Sequence, residues 1–304
     1  MYFLRRIILS MPLLLVISML AFVLVHLAPG GPFDSERKPA SPEIERNLQA
    51  KYHLDEPILK QYLSYLDGLV HGDLGPSMKY RDHDVNEILA SGLPVSLTLG
   101  CLAFGFATLG GIVLGFLTAR HQGSWMSHAI NFVVLLSVCV PGFVVAPILI
   151  LVFAMRLHWF PVALWGTPWH MVLPAIALGL FFAGKVARIL QSGMLEAMQS
   201  EFMVAARAKG LGETRLLARH AFRMALLPVV SFSGPMLADL LTGSFVVENI
   251  FQIPGIGVFL VNGSLNRDYP VVVGLSLLYA ALLIGLNLVV DYLYTLLDPR
   301  VSYE

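Results

Sequence analysis

Long stretches without Asp, Glu, Lys or Arg constrain the fold of this 304-residue chain more than any other feature. An apolar helix needs about 20 residues to cross the hydrocarbon core of a bilayer. Five of the stretches are 22 to 35 residues long, and a sixth is interrupted only by Asp239. The sequence therefore predicts an all-α, polytopic membrane protein. The stretches are 7–33, 88–119, 121–155, 157–184, 224–247 and 269–290.

The composition excludes several other classes of protein. The chain is 57% hydrophobic and 13% charged, whereas a soluble domain is about a quarter charged. Its 20 basic and 20 acidic residues balance, so we expect neither a nucleic-acid binder, a disordered chain nor a secreted disulfide scaffold. Cys101 and Cys139 lie inside predicted spans, where we expect them to be small core residues and not a disulfide.

Six membrane spans are expected, which places both termini on one side. The first apolar stretch is longer than that of a signal peptide, so we expect it to remain as a span. Lys and Arg concentrate in the short segments on the side of the termini, which predicts that this side is cytoplasmic. The spans are expected at 7–27, 94–119, 129–155, 170–190, 224–247 and 271–292, and the basic residues are Arg5, Arg6, Arg120, Lys185, Arg188, Arg207, Lys209, Arg215, Arg219 and Arg223.

The segment between the first two spans is predicted to form a helical cap outside the membrane. Acidic residues with Pro at 41–43 and 55–57 are typical of helix N-termini. The glycines of 72–77 predict a turn, and Asp84 with Glu87 predicts a capping box that leads into the second span. We therefore divide the chain into a first transmembrane helix (1–29), an extracytoplasmic cap (30–93) and a five-helix core (94–304).

Residues 196–223, between spans four and five, form the most informative segment. We expect a helix to restart at Ser200 and to end at Gly210, and a second helix to begin near Glu213. The small residues Ala205, Ala206 and Ala208 would allow the backbone of another protein to approach closely. The basic residues alone would also fit anionic lipid headgroups. The alanines and Gly210 favour docking of a partner protein.

This segment resembles the cytoplasmic signature of ABC-importer permeases. Residues 202–211 read FMVAARAKGL, and they are followed by Arg219-His220-Ala221 and Leu226-Leu227-Pro228. The general family has Glu-Ala-Ala, three residues, Gly and a stretch ending in Leu-Pro. Val204 stands where Glu is general, and the distance from Gly210 to Pro228 is longer than usual. Both departures are typical of the peptide-importer branch.

Other matches extend the resemblance over most of the chain. Together they are most similar to the first, B-type permease of oligopeptide importers, more than to dipeptide or nickel relatives. Gly31 departs from the Asp found in many relatives, which affects only a local turn. The matching runs are Leu27-Ala28-Pro29-Gly30, 72–77, Pro254-Gly255-Ile256-Gly257, 262–269 and Asp298-Pro299-Arg300.

The resemblance implies the type I importer fold, a bacterial inner-membrane location and a function as half of a translocation pathway. It also implies a second permease subunit, two cytoplasmic ATPase subunits that bind ATP and Mg²⁺, and an extracytoplasmic peptide-binding protein. Coupling to ATP hydrolysis would proceed by alternating access, with membrane lipid around the spans. The residues assigned to ATPase coupling are Glu201, Ala205, Ala206, Arg207, Ala208, Lys209, Gly210, Leu211 and His220.

We expect no catalytic, nucleotide, cofactor or metal site in this chain. Residues 179–185 match most of a phosphate-binding loop, but they lack its Ser or Thr and lie in an apolar stretch. The nine histidines show no metal-ligand spacing. An ion-coupled secondary carrier is one alternative class, but it does not explain the segment 196–223. A structural membrane scaffold is another, and it predicts no transport defect when the chain is deleted.

Span five carries a candidate face for the translocation pathway. A carboxylate in mid-membrane costs about 2.5–3.5 kcal/mol on insertion scales, so Asp239 should face water or protein. Ser231, Pro235 and Asp239 recur every four residues with Thr242 beside them, a polar face that suits a pathway. The alternative is that Asp239 is buried for packing.

Glycines and prolines in the spans leave two further questions open. Gly111 and Gly115 allow close helix packing, either within this subunit or against a partner permease. Pro141-Gly142, Pro147 and Pro235 are expected to kink spans three and five, either along the pathway or simply as helices kink in any polytopic protein.

Overall fold

The computed structural model describes residues 2–27, 54–80, 83–242 and 245–297, and excludes the side chains of 2–5, 242 and 290–297. The described regular structure is helical, apart from an isolated bridge between Pro76 and Asp84. The helices are α1 (Tyr2–Leu27), α2 (Ile58–Val70), α3 (Val85–Arg120), α4 (Trp125–Cys139), α5 (Gly142–Leu149, extended by a π-helix, Ile150–Arg156), α6 (Pro168–Met198), α7 (Glu201–Ala208), α8 (Glu213–Arg215, a π-helix Leu216–Ala221, then Phe222–Thr242), α9 (Phe245–Ile250), α10 (Ile256–Asn266) and α11 (Tyr269–Leu297).

Within the described ranges, five helices are long and apolar enough to cross a membrane: α1, α3, α6, α8 and α11. Helices α4 and α5 meet the same criterion only together, and they are bent by 111°. The prediction of six spans therefore holds if this bent pair counts as one span. The all-α, polytopic fold class is confirmed.

The third span is broken, not merely kinked as the sequence analysis expected. Val140 has extended dihedral angles (φ −91°, ψ 120°), and Pro141 follows with φ −60° and ψ 144°. Proline lacks an N–H, and it disfavours the helical conformation of the residue before it. The helix therefore stops at Cys139 and restarts at Gly142. Pro147 is followed by a π-helix, another form of local disruption.

Several local predictions in the segment 30–93 are confirmed, and others fall outside the description. Helix α2 begins after Pro57, and Gly72 and Gly75 have φ of +79° and +84° in the predicted turn. Helix α3 begins at Val85, as the capping signal indicated. The helix start at 41–43, the run 27–30 with Gly31, and Asp298-Pro299-Arg300 involve residues that the structure does not describe.

The chain divides into two compact units, each discontinuous in sequence. The first comprises residues 1–95, 255–284 and 303–304, and the second comprises 96–254 and 285–302. The division into 1–29, 30–93 and 94–304 followed membrane topology and stays a prediction.

In the first unit, α3, α10 and α11 share an apolar cluster. It contains Val85 and Ile88 of α3, Ile256 of α10, and Val271 and Leu275 of α11. Helix α2 contacts α1 through polar atoms as well: the hydroxyls of Ser18 and Tyr62 are 2.9 Å apart. The first span is thereby tied to a helix of the predicted cap.

In the second unit, α3, α6 and α8 form the main core. Its buried residues include five alanines, and their small side chains let the three helices approach one another closely. Cys101 and Cys139 do not belong to it: both are free and exposed. The expectation that they are core residues was wrong, because hydrophobicity alone does not show which face of a span packs inward. The core residues include Ala103, Ala107, Ala183, Val186, Leu190, Met194, Ala225, Val229, Met236 and Leu240.

Gly111 and Gly115 pack inside the subunit, which settles one of the two open questions. A Cβ atom at Gly111 would lie 2.6 Å from Cβ of Val186 and 2.7 Å from the carbonyl oxygen of Ala183. A Cβ atom at Gly115 would lie 2.6 Å from the carbonyl oxygen of Ala187. Helices α3 and α6 are therefore in backbone contact.

Gly111→Ala is expected to lower the thermal unfolding temperature of the purified protein, since overpacking of a tight contact costs about 1–3 kcal/mol. Gly110→Ala is the matched control, because nothing lies within 4 Å of a Cβ atom there. It should leave stability unchanged or raise it slightly, as alanine favours helix over glycine. Thermal unfolding in detergent measures both, and equal shifts would contradict the proposed contact.

Candidate functional sites

The connection between α6 and α8 follows the local signals in the sequence. Helix α6 continues to Met198, and Ser200 has the extended conformation of an N-cap residue before α7. Gly210, directly after the C-cap residue Lys209, has φ +84°. Residues other than glycine rarely adopt this backbone conformation. The chain can therefore turn sharply and begin α8 at Glu213, as predicted.

Helix α7 has one buried and one exposed face. Met203 is fully buried and Ala206 is 6% exposed. Both pack in a small cluster with Ala197 of α6 and Leu216 and Ala221 of α8. Ala206 therefore packs mainly inside this chain, and its assignment as a contact for a partner protein stays a prediction.

Most of the other residues assigned to ATPase coupling lie on the exposed side of the connection between α6 and α8. Phe202 and Val204 are more than half exposed, so the outer face of α7 is partly apolar. Leu211 packs beside the small cluster around Met203. Glu201, Ala205, Arg207, Ala208, Lys209 and Gly210 are exposed, and Leu211 and His220 are half-buried.

An ion pair ties the end of α7 to the start of α8. Arg207 donates from Nε and, at 3.2 Å, from Nη2 to the two carboxylate oxygens of Glu213. The hydrogen bond with Arg207 lowers the pKa of Glu213, and the reciprocal bond raises the pKa of Arg207. Both side chains are exposed, at 45% and 58%, so the pair orders the connection more than it stabilises the fold.

The candidate pathway residues of α8 share an exposed surface. Ser231, Pro235 and Asp239 are all exposed, whereas their neighbours Met236 and Leu240 are buried in the core. Among the residues that the structure describes, Asp239 has no hydrogen-bond or ion-pair partner. It is thus not buried against another of the helices that the structure describes. The side chain of Thr242 lies outside the description.

The buried carboxylate of Asp268, whose role no sequence pattern indicated, connects two of the runs that carry the family resemblance. Asp268 is fully buried and accepts hydrogen bonds from Oγ of Ser77 and from the backbone N–H groups of Met78 (3.1 Å) and Lys79 (3.2 Å). The runs 72–77 and 262–269 therefore meet in space. A single sequence gave no signal for this pairing beyond the unusual motifs themselves.

A second buried carboxylate lies in the other unit. Glu248 of α9 is fully buried, and Oγ of Ser96 in α3 donates a 2.6 Å hydrogen bond to it. Hydrogen bonding to a hydroxyl offsets part of the cost of burying the carboxyl group. Glu248 directly follows the apolar stretch 224–247, but this position does not indicate its partner Ser96.

The run that resembles a phosphate-binding loop is helical. Residues 179–185 lie in the middle of α6, where Gly179 and Gly184 are buried against other helices. The backbone N–H groups of an α-helix interior already bind carbonyl oxygens, so they are not free for a phosphate. Within the described ranges, no group of three or more His, Cys, Asp or Glu residues could hold a metal ion.

Comparison with known families covers both parts of the chain. The family described as "Binding-protein-dependent transport system inner membrane component" matches residues 111–303. Its N-terminal companion, described as "Binding-prot-dependent transport system membrane comp, N-term", matches residues 1–99.

Curated relatives match over nearly their full length. The chain is 44% identical to the oligopeptide transport system permease protein OppB of Haemophilus influenzae over 301 residues, or 98% of each chain. It is 44% identical to OppB of Escherichia coli K12, covering 99% of each chain. It is 41% identical to the dipeptide transport system permease protein DppB of Bacillus subtilis, covering 95% and 94%.

Solved structures show the same fold at lower sequence identity. A chain of an amino acid ABC transporter crystallised with histidines superposes with a TM-score of 0.54 at 19% identity, covering 71% of this chain and 95% of that one. A chain of the inward-facing MetNI methionine ABC transporter gives 0.52 at 16% identity, covering 67% and 95%.

Proposed function

Because this chain belongs to the family of binding-protein-dependent transport system inner membrane components, we propose that it is a permease subunit of an ATP-driven oligopeptide importer. It is a multi-pass inner-membrane protein. The observation that carries the proposal is the full-length similarity to oligopeptide permeases at 44% identity.

Oligopeptides are the substrate class that the relatives favour. The dipeptide permeases of B. subtilis and Lactococcus lactis are 41% and 35% identical, so they follow the oligopeptide permeases by a modest margin. Dipeptides, nickel or another solute of the family are the alternatives within the same class. Few polar side chains interrupt the spans, which suits a pathway that tolerates varied peptide side chains.

The subunit would act in a complex. We place a second permease beside it to complete the pathway, two ATPase subunits on the cytoplasmic side and a peptide-binding protein on the other. ATP and Mg²⁺ would be bound by the ATPase subunits. Among the described residues, the run that resembles a phosphate-binding loop (179–185) lies inside helix α6, where its backbone is already hydrogen-bonded.

Helix α7 is the proposed docking element for an ATPase subunit. Its inner face contacts α6 and α8 through Met203 and Ala206, while its outer face exposes Val204, Ala205 and Ala208. A force on α7 would therefore reach two spans directly. Movement of these spans when ATP binds, and their return after hydrolysis, would alternate access to the pathway.

The distribution of basic residues supports cytoplasmic termini. Nine Lys and Arg residues occur from Arg120, at the end of α3, to Arg223 in α8, and all except Arg156 would lie on the side of α7. Placement of α7 in the cytoplasm is also what docking of an ATPase requires. Helix α2 would then lie outside, where a binding protein delivers its ligand.

Ala205→Arg is expected to reduce peptide-stimulated ATP hydrolysis by the purified complex about tenfold or more, because an unpaired guanidinium would have to lose water in the docked interface. Ala218→Arg is the matched control, since Ala218 is also exposed but lies on α8. Normal stimulation with Ala205→Arg would contradict docking at α7. Peptide transport without any co-purifying ATPase would instead indicate an ion-coupled carrier.

Cysteine labelling tests the orientation. In a chain with Cys101→Ser and Cys139→Ser, His71→Cys should react with a membrane-impermeant maleimide in intact spheroplasts. Thr214→Cys should react only after permeabilisation. Both positions are exposed, so access depends on the membrane and not on burial. The reverse labelling pattern would overturn the proposed orientation.

Asp239→Asn tests whether the exposed polar face of α8 lines the pathway. The change keeps the shape of the side chain and removes its charge. Uptake of cationic peptides should fall about fivefold relative to N-acetylated peptides, which corresponds to about 1 kcal/mol for an exposed charge interaction. Uptake assays with both peptide classes measure the ratio. An unchanged ratio in a complex with normal ATP hydrolysis would leave Asp239 only a packing role at a partner chain.

A further inference from the structure

A cavity of about 370 Å³ lies between the start of α7 and the first turns of α8. Its polar part consists of Arg219, His220 and Arg223, and its apolar part of Phe202, Met224 and Leu227. The rings of Phe202 and His220 meet edge to face, with their centroids 5.7 Å apart. The cavity is thus built by both helices and not by one exposed strip of residues.

The charge in this cavity is uncompensated within the described residues. None of its six lining side chains is acidic, and neither Arg219 nor Arg223 has a carboxylate within ion-pair distance. The nearby Arg207 differs, because it is paired with Glu213. Two guanidinium groups with free donors, placed one helical turn apart, match the oxygens of a phosphate group.

The apolar part of the cavity continues along α8 in one direction only. Leu227 is 63% exposed, Met224 47% and Val230 42%. No further charged residue occurs until Asp239. At 1.5 Å per residue, Arg219 and Leu227 are about 12 Å apart along the axis, roughly the step from lipid headgroups to acyl chains. The basic end of the cavity would therefore lie at the depth of the lipid headgroups, and the exposed apolar flank at the depth of the acyl chains.

We propose that this cavity binds an anionic phospholipid, with its phosphate held by Arg219 and Arg223. His220 would then donate a hydrogen bond to the lipid and not contact an ATPase subunit, which docks at α7, and the acyl chains lie along Met224 and Leu227. The apolar flank favours a lipid over a soluble phosphate, because a soluble phosphate has no acyl chains to contact it. Because Phe202 belongs to α7 and contacts His220, a bound lipid would also help to fix the position of α7.

Native mass spectrometry of the purified full-length protein tests the site. The protein is titrated with phosphatidylglycerol, with phosphatidylcholine of the same acyl chains, and with glycerol 3-phosphate. One phosphatidylglycerol molecule should bind more tightly than phosphatidylcholine, and glycerol 3-phosphate should not compete with it. Arg219→Gln and Arg223→Gln should each weaken phosphatidylglycerol binding about fivefold, while Arg223→Lys should retain most of it.

Two control variants separate a defined site from general attraction to a charged surface. Arg215→Gln removes an exposed arginine of the same helix that does not line the cavity, so it should change the affinity less than twofold. Leu227→Asn should weaken phosphatidylglycerol binding while every guanidinium is kept. Thermal unfolding confirms that each variant is folded.

The proposal is overturned if Arg215→Gln weakens binding as much as Arg223→Gln, or if phosphatidylcholine binds equally well. Effective competition by glycerol 3-phosphate would show a soluble-phosphate site instead. Loss of a co-purifying subunit from the Arg223→Gln variant, with phosphatidylglycerol binding unchanged, would assign the surface to a protein partner.

Discussion

Contact between helix backbones is the constraint on which the second unit depends. Lipid tails are as apolar as leucine, so no hydrophobic force drives helices together inside a membrane. Dispersion contacts must do so, and they require close approach. Glycines on α3 and α6 permit it: Gly111 and Gly115 meet α6, and Gly179 meets the carbonyl oxygen of Ala103. The alanine-rich core between these helices follows from the same requirement.

Helix α6 links this core to the proposed docking element. Its residues Val186, Leu190 and Met194 are fully or almost fully buried among α3 and α8, and Ala197, one turn later, contacts the cluster of α7. One continuous helix therefore spans both clusters. In the proposed mechanism this continuity lets a displacement of α7 move the core without a flexible joint between them.

Local signals predicted the ends of helices well and the packing of side chains poorly. Ser200, Gly210 and Glu213 mark boundaries because capping and positive φ depend on neighbouring residues. The break at Pro141 was underestimated, because the sequence does not show how far two half-helices diverge. Cys101 and Cys139 were assigned to the wrong face, since a small or apolar residue suits a core, a lipid face and an interface alike. The bonds Ser77–Asp268 and Ser96–Glu248 join residues far apart in sequence, so no local pattern predicted them.

The way in which Asp268 is bound has a consequence for how this region can evolve. Its carboxylate is recognised by the hydroxyl of Ser77 and by two backbone N–H groups, not by the side chains of Met78 and Lys79. Every residue except proline offers that N–H. Substitutions other than proline at positions 78 and 79 would therefore keep these bonds, while loss of the hydroxyl at position 77 would break one bond and loss of the carboxylate at position 268 would break all three.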